Sequence, residues 1–180
     1  KTTLLQILGT IDKYDKNDKS SLKLCGIDIF KLNDNSLADF RNNEIGFVFQ
    51  FHQLLPEFTL IENICLPAYI KKIKKSVAEE KAMELINYFN LEKIIHNKPN
   101  ELSGGEKQRA AVARALINKP SIILADEPSG NLDSKSAENL YNLFFKLRKD
   151  FNYTFLIATH NTNYAKKSDR VFEIIDGKIN

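Results

Sequence analysis

Apolar residues in this chain form short runs bounded by polar or turn-forming residues, a pattern typical of strands. Strands are predicted at EIGFVFQ (44–50), SIILAD (121–126), YTFLIA (153–158) and RVFEII (170–175), and we expect the second and third of these to be buried. SLKLCGIDI (21–29) predicts two further short strands joined by a turn at Gly26, and the polar stretch before it, 12–21, predicts a surface loop.

Between these runs, apolar positions recur at intervals of three and four residues, which predicts helices. The stretch from about 59 to 118 is helical in character, and helices are predicted at 1–11, 76–90 and 134–149. The apolar faces of the last two consist of Ala78, Ala82, Leu85, Ile86 and Phe89, and of Leu140, Leu143, Phe144 and Leu147. Strands that alternate with helices predict an α/β fold with a mostly parallel sheet, and the helical middle is predicted to be an inserted subdomain.

The composition is that of a folded protein, because 43% of the 180 residues are apolar and 27% are charged. Two cysteines are too few for a disulfide framework, which fits a reducing compartment. A net charge of +3 gives no strong basic footprint for nucleic acid. No apolar stretch approaches the roughly 18 residues that a membrane span requires.

Two acidic residues, Asp126 and Glu127, directly follow the apolar run IILA. Ligands of α/β proteins bind at the carboxyl ends of parallel strands, where such a pair suits a metal–phosphate site. One carboxylate would hold Mg²⁺, and the next would orient or deprotonate an attacking water. The alternative is a solvated acidic turn in which Pro128 and Gly130 simply end the strand.

The sequence begins with Lys1-Thr2-Thr3 at the start of a predicted helix. A lysine followed by a hydroxyl residue at a helix N-terminus matches the tail of the phosphate-binding loop G-x-x-x-x-G-K-[ST]. In that interpretation Lys1 reaches the β- and γ-phosphates and Thr2 binds Mg²⁺. Since the glycines of the motif are not in the sequence and its first residue is not Met, we expect an N-terminal truncation within this motif. An ordinary helix start is the alternative.

The segment LSGGEKQR (102–109) begins a long predicted helix with two consecutive glycines. Ser103 and Glu106 have the spacing of a capping box, which accounts for those two residues but not for Gly104 and Gly105. Glycine in a helix interior costs about 1 kcal/mol, whereas at a helix N-terminus it lets backbone N–H groups approach an anion closely. Phosphate binding therefore explains more of the segment than the cap does.

These segments occur together in an order that resembles one family. LSGGEKQRAAVARAL resembles the signature sequence of the ATP-binding-cassette (ABC) ATPases. Around it, in that family's order, are the phosphate-loop tail at Lys1, FVFQ ending at Gln50, IILADE (122–127), SGNLD (129–133) and ATH ending at His160. The resemblance implies a P-loop NTPase (RecA-like) core with a mostly parallel sheet, plus an inserted α-helical ABC subdomain. The core would comprise 1–50 and 119–180, and the subdomain 51–118.

The resemblance also implies ATP and Mg²⁺ as cofactors and a role for each matching residue. Glu127 would be the catalytic base, His160 would contact the γ-phosphate, and Gln50 would contact Mg²⁺ and the attacking water. Thr2 and Asp126 would hold Mg²⁺ together with Gln50. The residues expected to bind the nucleotide are Lys1, Thr2, Thr3, Gln50, Ser103, Gly104, Gly105, Asp126, Asp133 and His160. A structural role is the alternative for His160 taken alone.

In such a family, the glycine pair does not bind the nucleotide of its own chain. Ser103, Gly104 and Gly105 would bind the γ-phosphate of ATP held by a second copy, so two chains would close head to tail around two ATP molecules. Asp133 would lie at that interface.

The stretch FVFQFHQLLPEFTLIENICLP (47–67) resembles the ATPase subunit of the lipoprotein-releasing (Lol) transporters. It implies an ATP hydrolase that powers lipoprotein release, peripheral on the cytoplasmic face of a bacterial inner (plasma) membrane. The integral-membrane permease would dock near Phe51–Thr59, with Phe51, His52, Leu54, Leu55, Pro56, Phe58 and Thr59 as candidate docking residues. Packing in the subdomain core is the alternative for Leu54, Leu55 and Phe58.

Other functions share parts of this sequence pattern. LADEPSGNLD (124–133) leaves macrolide-type exporters and cell-division ABC ATPases as alternatives. A soluble ABC ATPase acting on nucleic acid or ribosomes is disfavoured, because the span from Gln50 to Leu102 has no room for the coiled-coil insert of repair-type members; no nucleic-acid partner is expected. KKIKK (71–75) is interpreted as a solvated helix face in preference to a contact for anionic lipid.

Overall fold

A parallel sheet of three strands lies at the centre of the computed structural model, which describes residues 1–12 and 21–179. The strands are β3 (Ile45–Phe49), β4 (Ile122–Asp126) and β5 (Thr154–Ala158), in the order β3-β4-β5. Their register places Phe49, Asp126 and Ala158 side by side. The three carboxyl ends therefore form one edge, and the predicted α/β fold with a parallel sheet is confirmed.

Helices cover both faces of this sheet. Because side chains alternate along each strand, each strand contributes residues to both faces. On one face, Ile45 and Leu124 pack with Leu5, Ile29 and Phe40 in a small core. On the other face, Val48, Ile123 and Ala125 belong to the larger core. The elements of the first face are α1 (Thr2–Leu8), a 3-10 helix (Ile29–Lys31) and α2 (Asp34–Glu44).

The larger core is built by the helical stretch between β3 and β4 and by the helix after β4. Its helices are α3 (Leu60–Ile70), α4 (Lys75–Tyr88), α5 (Gly104–Leu116) and α6 (Ser134–Phe151), with 3-10 helices at Glu92–Ile94 and Pro99–Glu101. Alanines on the buried faces of α4 and α5 keep these helices close together, so they share one core with the sheet. The helical region is confirmed, while its division from the core at 51 and 118 stays a prediction.

The remaining described elements are short. They are the antiparallel pairs β1 (Lys23–Leu24) with β2 (Ile27–Asp28) and β6 (Ile174–Ile175) with β7 (Lys178–Ile179), and the helix α7 (Thr162–Ala165). The first pair and its turn at Gly26 were predicted from the sequence. The predicted loop 12–21 lies mostly outside the described residues.

Two strand predictions at the C-terminal end of the chain are wrong in part. β5 is only half-buried, because it is an edge strand that pairs with β4 on one side and with no other strand of the described chain. The predicted strand 170–175 is reduced to Ile174–Ile175, and Val171 and Phe172 before it are exposed. An apolar run becomes a buried strand only where the tertiary structure supplies a neighbour, which the pattern alone does not specify.

Candidate functional site

The carboxyl ends of the three parallel strands bring together residues that are far apart in the sequence. Gln50, Glu127 and Thr159 each follow directly on a strand end, and α1 begins beside them. The Lys1 ammonium donates to the carbonyl oxygen of Thr159 at 3.0 Å. The Thr2 hydroxyl donates to Oδ1 of Asp126 at 3.1 Å. The side chains of Gln50, Asp126, Glu127 and His160, for which the sequence predicts roles in catalysis or Mg²⁺ binding, are called the catalytic edge.

Glu127 and His160 are in direct contact at this edge. Nδ1 of His160 lies 2.9 Å from Oε2 of Glu127, with the Glu127 side chain 25% exposed and the His160 side chain 79% exposed. The backbone of Glu127 has φ 42°, in the left-handed region that non-glycine residues rarely adopt, and its N–H is fixed on the carbonyl oxygen of Ala158 at 2.9 Å. Strain of this kind concentrates at functional sites. The contact leaves the other ring nitrogen of His160 available to a ligand.

Gln50 lies against the loop that follows Glu127. Its Nε2 donates to Oδ1 of Asn131 at 3.4 Å, and Nδ2 of Asn131 donates back to the carbonyl oxygen of Gln50 at the same distance. A Cβ at Gly130 would lie 2.6 Å from Nε2 of Gln50, so any larger residue there would displace the glutamine. Asn131 was not singled out from the sequence, although its place within SGNLD was a signal.

The signature turn, residues 103–106 at the start of α5, forms the capping box predicted from its sequence, while phosphate binding by this turn stays a prediction. Ser103 and Glu106 form the capping box: the Ser103 N–H and hydroxyl donate to Oε2 of Glu106 at 2.7 and 2.6 Å, and the Glu106 N–H donates to the Ser103 hydroxyl at 3.4 Å. The hydrogen bonds from Ser103 lower the pKa of Glu106. A Cβ at Gly104 would meet nothing within 4 Å, so no contact within this chain requires glycine there.

The other predicted nucleotide-binding residues are not joined to the catalytic edge in the single chain. Asp133 caps α6, accepting from the N–H groups of Lys135 and Ser136 at 3.0 Å each, and the Ser136 hydroxyl holds its pKa low. Thr3 is exposed on α1. Ser103 bonds to Glu106 rather than to the edge.

The loop after Gln50, residues 51–59, turns apolar side chains outward. Phe51 is 72% exposed, and Leu55 and Phe58 are exposed as well. Leu54 instead packs against the larger core, as one of the sequence alternatives held. Thr59 forms a capping box with Glu62 at the start of α3. The 51–59 loop thus combines an apolar outer surface with an ordered end.

A buried asparagine that sequence reasoning missed holds this loop. Asn63 has no exposed surface, and its Oδ1 accepts from the Leu55 N–H at 2.8 Å. Its Nδ2 contacts the carbonyl oxygens of Leu55, Phe58 and Thr59 at 3.1, 3.0 and 3.0 Å. The signal was a polar residue inside the apolar run IENICLP (61–67).

Arg114 of α5, also missed, binds the first part of the same loop. Its guanidinium donates to the carbonyl oxygens of Gln53 at 2.5 Å and His52 at 2.7 Å. His52 and Gln53 both have left-handed backbones, with φ 49° and 48°, which aim these two carbonyl groups at the guanidinium. Burial lowers the pKa of Arg114. The helix of the signature turn is therefore tied directly to the 51–59 loop.

Residues 1–12 and 21–179 contain neither a cluster of metal-ligating side chains nor a membrane-spanning helix. No three His, Cys, Asp or Glu side chains come together so as to hold a metal ion unaided. No helix in the same ranges is long and apolar enough to span a membrane.

Comparisons with known proteins agree with this geometry. The family model described as ABC transporter matches residues 1–130. The lipoprotein-releasing system ATP-binding protein LolD of Bacteroides fragilis is 52% identical, over 99% of this chain and 82% of its own length. LolD of Porphyromonas gingivalis is 51% identical, over 99% of this chain and 80% of its own length.

A solved structure gives the same family. The ATP-binding cassette MJ0796, in a dimeric post-hydrolysis state bound to ADP and Pi, is 37% identical with a TM-score of 0.83. The match covers 99% of this chain and 77% of that one. On its sequence, its fold and the residues gathered at one edge of its sheet, the chain belongs to the ABC transporter family.

Proposed function

We propose that this chain is the ATP-binding subunit of a lipoprotein-releasing ABC transporter, and that it hydrolyses ATP to drive a membrane permease. The sequence identity of 52% and 51% with two LolD proteins, over 99% of this chain, supports lipoproteins as the transported substrates. The observation that carries the proposal is the Glu127–His160 contact at 2.9 Å, beside Lys1 and Thr2 on one sheet edge. A phosphate-binding lysine, a carboxylate base and a histidine are the parts that such hydrolysis requires.

In the proposed reaction, water attacks the γ-phosphorus in line with the leaving oxygen. Glu127 orients this water and accepts its proton, while His160, whose Nδ1 lies against Glu127, offers Nε2 to the γ-phosphate. Lys1 reaches the phosphates as a point charge. Gln50 lies next to this water, where it reports the nucleotide state to the 51–59 loop. Catalysis is thus positioning together with charge stabilisation.

The residues around Thr2 fit a Mg²⁺ ion. The Thr2 hydroxyl and Oδ1 of Asp126 lie 3.1 Å apart, and hydroxyl and carboxylate oxygens are ligands that Mg²⁺ prefers. Mg²⁺ commonly completes its coordination with water and substrate phosphates, so a site without three protein carboxylates suits it. Thr2, Asp126 and Gln50 would hold the ion, and the ion would neutralise negative charge on the phosphates.

Two chains would close around two ATP molecules. The start of α5 would offer its backbone N–H groups to the γ-phosphate bound by the partner chain, and the open space around Gly104 leaves room for that phosphate. Asp133 would lie at the same interface. The ATP-binding cassette MJ0796, a structural relative, is dimeric when bound to ADP and Pi, which supports a dimer here. Thr3 would complete the phosphate-binding turn of each chain.

The permease would dock on the 51–59 loop. Its exposed apolar residues Phe51, Leu55 and Phe58 suit a helix of the membrane subunit, and His52, Pro56 and Thr59 border them. Arg114 would carry movement of the loop to the signature turn, because it joins α5 to His52 and Gln53. The subunit would therefore lie on the cytoplasmic face of the inner membrane.

The Glu127→Gln variant tests the catalytic assignment. We expect turnover to fall by at least about 100-fold, while ATP and Mg²⁺ still bind and trap a closed dimer, because only the proton acceptor is lost. ATPase assays and light scattering with and without ATP measure both effects. Glu84→Gln, an exposed residue on α4, is the matched control. Near-normal turnover in the Glu127 variant would contradict the assignment.

Copurification tests the partner. We expect the protein to be recovered with a membrane permease from detergent extracts, and Phe51→Ser to weaken that recovery. Recovery with ribosomes or DNA instead would favour a soluble role.

A further inference from the structure

The phenol of Tyr141 lies beneath the two loops that carry the catalytic edge. Tyr141 is on α6 and is only 2% exposed. Its hydroxyl accepts a hydrogen bond from the Ser129 hydroxyl at 3.4 Å and donates to Oγ1 of Thr159 at 3.2 Å. Sequence reasoning treated this residue only as part of a helix.

Each of these two partners is adjacent to a residue of the edge. Ser129 lies within the turn that starts at Glu127, closed by the Gly130 N–H on the Glu127 carbonyl oxygen at 2.9 Å. Thr159 directly precedes His160, and its Oγ1 also accepts from the Asn161 N–H at 3.1 Å. The phenol therefore connects the turn of the base to the loop of the histidine.

The ring that presents this hydroxyl is held on two sides. Tyr164 stacks on it with ring centroids 3.8 Å apart and planes at 15°, and Phe144 packs against it edge-on at 6.2 Å. Phenylalanine would fill the same space, and a buried hydroxyl is unfavourable unless it is hydrogen-bonded. The hydroxyl is thus explained by its two bonds and not by packing.

We propose that Tyr141 is a positioning residue for ATP hydrolysis, whose hydroxyl sets the separation of Glu127 from His160. The proposal rests on the roles proposed above for those two residues. Lys1, proposed to bind the phosphates, contacts the backbone carbonyl of Thr159 and not the hydroxyl that Tyr141 binds. We therefore expect the loss of the Tyr141 hydroxyl to act on the chemical step more than on ATP binding.

The test is Tyr141→Phe in the full-length protein assembled with its permease. We expect kcat to fall by about 3–10-fold with the KM for ATP changed less than about twofold, which is the effect of one lost buried hydrogen bond on the transition state. Tyr164→Phe is the matched control, since it removes a hydroxyl from the same stacked pair but outside this network. Thermal unfolding of both variants records any loss of stability.

A double-mutant cycle with Ser129→Ala separates positioning from general stability. We expect Tyr141→Phe to lower kcat little further in the Ser129→Ala background, because both changes break the same connection. Unchanged kcat in Tyr141→Phe, fully additive effects, or an equal loss in Tyr164→Phe would each overturn the proposal. Glu127→Gln distinguishes the failures: if it abolishes turnover while Tyr141→Phe is silent, only the positioning role is lost.

Discussion

The catalytic edge and the 51–59 loop differ in what their polar groups contact. At the edge, side chains meet other side chains from distant parts of the sequence, such as Thr2 with Asp126 and His160 with Glu127. In the loop, side chains hold backbone groups instead: the buried Asn63 binds three residues of the loop, and the partly buried Arg114 binds two carbonyl groups.

This difference separates residues that serve a ligand from residues that serve the fold. Polar groups at the edge are partly exposed and can exchange their mutual contacts for phosphate, water or metal. Asn63 and Arg114 have no such exchange available, because their partners are backbone groups that are costly to leave unpaired. Substitutions at the edge should therefore change activity, and substitutions behind the loop should first change stability.

The largest stability effect is expected from Asn63→Leu. It removes one acceptor and the donors to three carbonyl oxygens from a fully buried position, so the free energy of unfolding should fall by about 2–4 kcal/mol. Urea denaturation measures it. Asn142→Leu, exposed on α6, is the control and should change stability by less than about 0.5 kcal/mol. Equal effects of Asn63→Leu and Asn142→Leu would show that Asn63 does not stabilise the fold through the loop.

Arg114→Gln should have the next largest effect. Two charge-assisted hydrogen bonds to the loop are lost, so we expect about 2 kcal/mol less stability and a weaker stimulation of ATPase activity by the permease. Denaturation and the ratio of stimulated to basal turnover measure these. Arg148→Gln, which breaks an exposed ion pair with Asp169, should cost less than about 1 kcal/mol and leave the ratio unchanged. An unaltered ratio in the Arg114 variant would confine its role to folding.

Gly104→Ala should have opposite effects on stability and on ATPase activity at the signature turn. The added methyl group meets nothing in this chain and favours the helix, so stability should rise by up to about 1 kcal/mol. ATPase activity should fall, because the methyl group obstructs the approach of the partner's phosphate. Ser103→Ala is the complementary variant and should lower stability by about 1 kcal/mol through loss of the cap. A Gly104→Ala protein with full activity would leave capping as the sole explanation of the segment.

The smallest effect is expected from the pH response of His52. Burial, then the positive charges of Lys107 and Arg114, lower its pKa. The unfolded chain therefore takes up more protons below about pH 6.5, and the folded state loses stability there. When the pH is lowered from 7.5 to 5.5, the free energy of unfolding of the unmodified protein should fall further than that of His52→Gln, by less than about 1 kcal/mol. Urea titrations at both pH values measure it, and equal losses in the two proteins would rule out His52 as the source.

Much of the fold and of the site followed from local patterns in the sequence. The runs at 45–49 and 122–126 became neighbouring parallel strands, and Asp126 and Glu127 were placed correctly at a strand end. These predictions succeeded because an apolar run, its length and its bounding residues are determined by neighbours along the chain. The capping boxes at Ser103 and Thr59 are equally local.

Only the tertiary structure decided which distant side chains meet. That Lys1 reaches Thr159, that Asn63 and Arg114 hold the 51–59 loop, and that Tyr141 lies under both loops of the edge depend on contacts between separate elements. The same is true of the half-buried β5, whose composition matches that of a fully buried strand. Sequence determined the elements and the chemistry that they carry, because these arise within a few residues; packing determined the distances, because a hydrogen bond between remote residues has no local pattern.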